Sequence, residues 1–222
     1  HEEIYRLFGY RFGDRIISVD GTHLPNDVID RQQYWTKLTE KQIPFGSVHF
    51  SAYYLTPETA PYYVAGIREI CPAFIRGYPS ALNEIAISVM SNSQKLRSQV
   101  KAVILTSENI LLGQMEAIRE AFHCPVVLQY GLTEMCAFAY ALNSSEEYCF
   151  SPLYSHIEIL KPDGKPAEPG ETAEIVATGY FCLALPFIRY QTGDMAVLKS
   201  RSSGIVRVSR LLGRSQDILF RK

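Results

Sequence analysis

Apolar and polar positions recur along the chain with two different periods, and the switch between them predicts its organisation. Val64, Ile67 and Ile70 fall at helical spacing behind Thr56-Pro57, a capping residue followed by proline at the first helical position. That helix should end at Cys71-Pro72. A second is predicted from Ser80, a possible cap, with Leu82, Ile85, Ala86, Val89 and Met90 on one face. VKAVILT, residues 100–106, is a short β-branched run of the kind found in buried parallel strands. Leu111, Met115, Ile118 and Phe122 then form a helical stripe, and PVVLQ at 125–129 is the next strand. Strand, helix and strand in alternation predict an α/β fold, a parallel sheet with flanking helices.

After about residue 145 the period shortens. HIEIL, TAEIVAT, MAVLK and IVRVS read as short strands divided by the turns PDGKP and RSSG, which predicts a smaller β-rich subdomain. The expected boundaries are an α/β part over 1–145, a β-rich part over 146–209 and a terminal segment over 210–222.

Composition narrows the function classes. With 222 residues, 47% of them hydrophobic, the chain can bury the core of one large domain or two small ones. Its 22 Lys and Arg nearly cancel 23 Asp and Glu, so no overall field favours a polyanion, and nucleic acid is not an expected partner. Cys71, Cys124, Cys136, Cys149 and Cys182 are odd in number and form no CxxC pair, which argues against a disulfide framework or a zinc ribbon. His123 and Cys124, with Cys136, Cys149 and His156, match no standard zinc spacing. Charges or prolines interrupt every apolar stretch short of membrane-spanning length, so no membrane insertion is expected and a reducing cytoplasm fits best. The chain opens on His1 in mid-pattern, and LLGRSQDILFRK ends while a hydrophobic pattern is still running; the expectation is an internal piece of a longer protein.

Candidate chemistry gathers at three places. QYGLTE, Gln129 to Glu134, directly follows a predicted buried strand, and ligands of open α/β sheets collect at such carboxyl ends. Tyr130 can offer a flat face to a base, Gly131 allows close backbone approach, Thr133 can reach a phosphate oxygen and Glu134 can hold magnesium. Read alone, the loop suits ordinary turn chemistry as well. In IRYQTGD, Ile188 to Asp194, the carboxylate of Asp194 can accept two hydrogen bonds from a ribose diol, or simply occupy an exposed turn. In LLGRSQD, Arg214 could pair with phosphate or ribose oxygens, or lie on a surface loop.

Taken together, these segments resemble the adenylate-forming superfamily, and most nearly its phenylacetate-coenzyme A ligase branch with the capsule-biosynthesis relatives. GYPSAL, LTSENI, YGLTE, SPLYSHIEIL, GETAEIVATGYFCLALPFIRYQTGD and GRSQD carry the resemblance, which runs from roughly Phe45 to the carboxyl end. It implies that the chain is part of the large N-terminal domain of such an enzyme, with a distorted barrel-like β-rich subdomain, and that residues 210–222 are a hinge to a C-terminal lid domain. It also implies an ATP-dependent ligase that activates a small carboxylic acid as an acyl-adenylate, with coenzyme A the usual acceptor. Tyr130 would then stack on adenine, Thr133 contact the α-phosphate and Glu134 serve magnesium. Asp194 would bind the ribose hydroxyls, and Arg214 the nucleotide near the hinge. Ser107 and Glu108 match the loop flanking adenine, and Tyr78, Pro79 and Ser80 with Cys136, Ala137 and Phe138 would lie near the acyl pocket.

The chain departs from the pattern in places. It contains neither the family's Ser/Thr/Gly-rich phosphate loop nor the domain with a catalytic lysine that follows GRSQD, so it is expected to be inactive alone. Gln191 stands where the branch often has a basic residue, and Gln216 where the hinge is commonly acidic. A non-catalytic relative that binds nucleotide or another protein is the alternative expectation.

Overall fold

The β-branched run ending at Thr106 is a strand buried at every position, as a parallel strand covered on both faces must be. The structure, a computed structural model, describes residues 2–37, 48–91, 100–142, 145 and 147–217. The chain folds as two units, residues 1–127 and 128–222.

The first unit contains helix α1 (Glu2–Leu7), strand β1 (Ile16–Asp20), helix α2 (Asn26–Asp30), β2 (Trp35–Lys37) and β3 (Val48–Ser51). There follow α3 (Ala60–Ile70), β4 (Phe74–Gly77), α4 (Pro79–Ser91), β5 (Ala102–Thr106) and α5 (Gln114–Phe122). Strand β6 (Val126–Gly131) begins in this unit, where the Val103 N–H donates to the Pro125 carbonyl. β3, β1, β4 and β5 lie side by side and parallel, and β2 pairs antiparallel with β3. Ile17, Phe50, Phe74, Ile75 and Val103 are fully buried along it, and α4 packs against α3 and α5.

Helix limits differ from the expected ones by a few residues. α3 starts at Ala60 rather than beside Pro57, with Thr59 at the N-cap, because Thr56 to Thr59 form a turn in which the Thr56 N–H donates to Thr59 Oγ1 at 2.9 Å. Pro61 then takes an early helical position. The predicted end holds: Cys71 caps α3 in the left-handed region at φ 50°. α4 starts at Pro79, so Ser80 lies inside it, and the Leu82 N–H bonds back to the Tyr78 carbonyl at 2.9 Å. Leu111 precedes α5 and is exposed, as is Met90; neither belongs to the core stripe. Tyr63 is fully buried and donates to the Ser51 carbonyl at 2.6 Å.

The second unit takes up the carboxyl half of β6 and continues with β7 (Phe138–Ala141), β8 (Tyr148–Phe150), β9 (Ser155–Leu160), β10 (Thr172–Gly179), β11 (Tyr190–Ser202) and β12 (Ile205–Arg214). Its strands follow the order β6-β7-β8-β12-β11-β10-β9 and pair antiparallel throughout, an open sheet. Phe150, Ile159, Ile175, Ala196, Leu198 and Val208 pack into one core on it. Hence the α/β fold class with a β-rich second part is what the chain adopts. Among the described residues, no helix is long and apolar enough to cross a membrane.

Candidate functional site

In the second unit, the YQTGD part of IRYQTGD, residues 190–194, is a bulged stretch of β11 rather than a turn. Register runs from Val176 opposite Gln191 to Glu174 opposite Met195, so Ile175 faces three residues, Thr192, Gly193 and Asp194. Local hydrogen bonds hold the bulge. Thr192 Oγ1 donates to the Ile175 carbonyl at 2.8 Å and accepts the Asp194 N–H at 3.0 Å, while the Gly193 N–H donates to Glu174 Oε1 at 3.0 Å. Gly193 sits at φ +74°, a conformation that suits glycine and lets the bulge re-aim the side chain after it.

That side chain is Asp194. β11 and β12 form a hairpin whose register sets Asp194 directly opposite Arg214, with Arg214 Nε 3.8 Å from Asp194 Oδ1. The Tyr130 hydroxyl, from the end of β6, donates to Asp194 Oδ2 at 2.7 Å. Burial first, and then the Asp194 carboxylate, push the Tyr130 hydroxyl far above the ordinary phenol range, so it stays a donor. An ionised carboxylate offers about four acceptor positions, so Asp194 keeps capacity for a diol beside these two neighbours. Tyr130 also meets Phe150 edge to face, with ring centroids 5.8 Å apart.

Glu134 is half-buried and accepts a hydrogen bond from the Tyr190 hydroxyl at 2.9 Å; this bond raises the Tyr190 pKa. Among the described residues no three His, Cys, Asp or Glu side chains gather to hold a metal. A lone carboxylate is still a fitting donor for magnesium, which keeps several waters and is commonly held by one or two carboxylates together with substrate phosphates. Thr133 and Gly131 are exposed, whereas Cys136, Ala137 and Phe138 are buried. Cys136 lies so close to Gly179 that a Cβ there would stand 2.9 Å from its Cα.

The remaining predicted residues belong to the first unit. The Ser80 N–H donates to Glu108 Oε2 at 3.1 Å, and Tyr78 accepts the Gly21 N–H at 3.3 Å. Ser107 is exposed and left-handed at φ 71°, while Pro79 is buried. Tyr78 and Ser107 line a pocket of roughly 110 Å³ together with Ser18, Asp20, Arg76 and Thr106.

Sequence reasoning did not single out Arg76 or Asp20. Arg76 is a charged residue inside the short apolar strand FIRG, the one signal that could have marked it. Asp20 ends β1 and accepts from the Thr22 hydroxyl at Oδ1, while its Oδ2 lies 2.9 Å from His49 Nδ1. Burial raises the Asp20 pKa, but the hydrogen bonds from His49 and Thr22 outweigh it and hold Asp20 below the ordinary value. Threonine, histidine and aspartate here are not a nucleophile relay. Thr22 and Asp20 both face Nδ1, whereas a relay uses opposite ring nitrogens.

Residues 47–185 match the family of AMP-binding enzymes. The chain belongs to that family. It is 24% identical over 212 residues to Protein CapK of Staphylococcus aureus, covering 93% of this chain and 45% of that protein. Over 96 residues it is 33% identical to phenylacetate-coenzyme A ligase of Escherichia coli K12, covering 41% of this chain and 22% of that protein. This AMP-binding chain therefore spans less than half the length of either curated relative. Among solved structures, 2-hydroxyisobutyryl-CoA ligase in the postadenylation state shares its fold. The TM-score is 0.69 at 18% identity, over 98% of this chain and 47% of that one. A likeness at that identity concerns the fold. With the curated relatives, the family match bears out the resemblance drawn from the motifs.

Proposed function

We propose that this chain is the nucleotide-binding portion of an ATP-dependent ligase that activates a carboxylic acid as an acyl-adenylate and passes the acyl group to coenzyme A. The observation that carries the reading is the convergence of Tyr130 and Arg214 on the Asp194 carboxylate, which brings three separate motifs together. Asp194, with Tyr130 fixing one oxygen, would accept the ribose hydroxyls, and Tyr130 would lie against adenine with Ser107 and Glu108 on the flanking loop. Thr133 would donate to the α-phosphate, Gly131 would allow its approach, and Arg214 would contact the nucleotide. Tyr78, Pro79, Ser80, Cys136, Ala137 and Phe138 would border the acid. Magnesium, when bound at Glu134 and the phosphates, offsets the charge of two anions brought together.

A carboxylate oxygen of the acid attacks the α-phosphorus of ATP, and the bond to pyrophosphate breaks. The thiol of coenzyme A then attacks the mixed anhydride and AMP leaves. These residues contribute orientation and charge stabilisation, which require a site closed to water. Residues 210–222 would lead to the lid that closes it, and phosphate-cradling residues would come from chain outside these 222.

Titration of the full parent protein with ATP tests the reading. Asp194→Asn should weaken ATP binding by about ten- to a hundredfold, the usual cost of losing hydrogen bonds to a charged partner, and Tyr130→Phe by less. An Asp194→Asn variant that binds ATP as tightly as the native protein would falsify it. Carboxylate-dependent ATP-pyrophosphate exchange should occur with the parent and be absent from the 222-residue chain. A parent that binds ATP but supports no exchange with aryl, alkyl or polar acids is instead a non-catalytic relative.

A further inference from the structure

In the loop that follows β6, Glu134 sits in a turn with a strained backbone. The Met135 N–H donates to the Leu132 carbonyl at 3.1 Å, and Met135 takes a left-handed φ of 56° although it is not glycine. Such a conformation persists only where its surroundings fix it. Two contacts from the β10–β11 pair do so. Gly179, at the end of β10, lets the loop come so near that a Cβ there would stand 3.2 Å from the Met135 carbonyl oxygen. Tyr190, at the start of β11, donates from its hydroxyl to Glu134 Oε1 at 2.9 Å.

Tyr190 is itself held in place. It lies opposite Ala177 in the β10–β11 register, and its ring meets Phe187 edge to face with centroids 5.0 Å apart. The Phe187 carbonyl in turn accepts the Gly179 N–H at 3.1 Å. Among the described residues, Glu134 Oε2 has no hydrogen-bond partner, and no Lys or Arg pairs with the carboxylate. The last torsion of a glutamate is broad, so a bond to one oxygen orients the group. A phenol does this while neutral, whereas lysine or arginine would cancel the charge that a metal ion needs. Donors one step behind a metal ligand commonly set its orientation and affinity in this way.

We propose that Tyr190 is a positioning residue for magnesium: by fixing Glu134 Oε1 it leaves Oε2 for the metal. This role rests on the ligase reading, in which the phosphates of ATP share the ion with Glu134.

Calorimetric titration of the full parent protein with ATP, once in magnesium and once in chelator, tests it. The ratio of the two affinities measures what the metal adds. Tyr190→Phe keeps the ring on Phe187 and removes only the hydroxyl; it should lower that ratio by about tenfold and leave the affinity in chelator unchanged. In a Glu134→Gln background, where the ratio is already reduced, Tyr190→Phe should lower it no further. An equal loss with and without metal would make Tyr190 a packing residue or a direct nucleotide contact and overturn the proposal, as would a further loss on top of Glu134→Gln. An unchanged ratio in Tyr190→Phe overturns it while leaving the ligase reading intact. Native parent protein that binds no ATP overturns both.

Discussion

Asp194 and Cys136 stand in the same unit with different neighbours. Asp194 accepts from the Tyr130 hydroxyl at 2.7 Å and has Arg214 beside it. Cys136 is pushed up to about 11, first by burial and then by the neighbouring Glu134 carboxylate, so its thiolate is scarce at neutral pH. Cys71, by contrast, is exposed at the end of α3. Alkylation with iodoacetamide near neutral pH, followed by peptide mass mapping, should therefore modify Cys71 while Cys136 stays intact. Labelling of both at similar rates would contradict this account of Cys136. At this scale Tyr130, Asp194 and Arg214 were legible because each sits in a compact motif. Arg76 was not, since one charge in a four-residue strand resembles many exposed positions until a pocket forms around it.

Elements decide which motifs meet. The offset between Glu174 and Val176 places Thr192, Gly193 and Asp194 opposite one residue, and the β11–β12 register sets Arg214 across from Asp194. Gly193 of β11 and Gly77 of β4 differ in why they are needed. Gly193 has nothing within 4 Å of a would-be Cβ, so Gly193→Ala meets only the backbone cost of its φ of +74°, about 1–2 kcal/mol. Gly77→Ala instead drives a methyl group to 2.6 Å from the Val19 carbonyl and should cost more, because the strands must separate. Urea unfolding of the two variants checks this order, which a larger loss in Gly193→Ala would reverse. β5, β6 and β9 to β12 were readable from apolar runs, but β1 to β4, β7 and β8 were not, and neither were bulge and register. They depend on which strand becomes the neighbour, and β12 returns to β11 through only two residues while β8 pairs with it from far along the chain.

At the scale of the whole molecule, acid stability follows from buried and bonded carboxylates. Asp20 has its pKa held below the ordinary value by His49 and Thr22 despite a burial effect that raises it. A depressed folded-state value means that the group stabilises the fold above its unfolded pKa of about 4 and that this contribution disappears as pH falls through the folded value. Asp20→Asn should lower the melting temperature near neutral pH and make it fall less steeply on acidification below about pH 4. Melting curves across that range measure it; parallel curves for variant and native protein would remove Asp20 from the account.

Several properties were determined by the sequence alone. Hydrophobic periodicity specified the α/β part and the β-rich part, because a parallel strand covered on both faces must be continuously apolar while hairpin strands alternate between turns. The motifs GYPSAL, YGLTE, IRYQTGD and GRSQD together carried the resemblance to the adenylate-forming superfamily, which the match over residues 47–185 bears out. Tertiary structure alone decided that Asp194 lies in a strand bulge rather than a turn, that its carboxylate meets Tyr130 and Arg214, and that Arg76 lines a polar pocket. Those outcomes depend on contacts between segments distant in the chain, and local propensity carries no record of which distant segment will supply the partner.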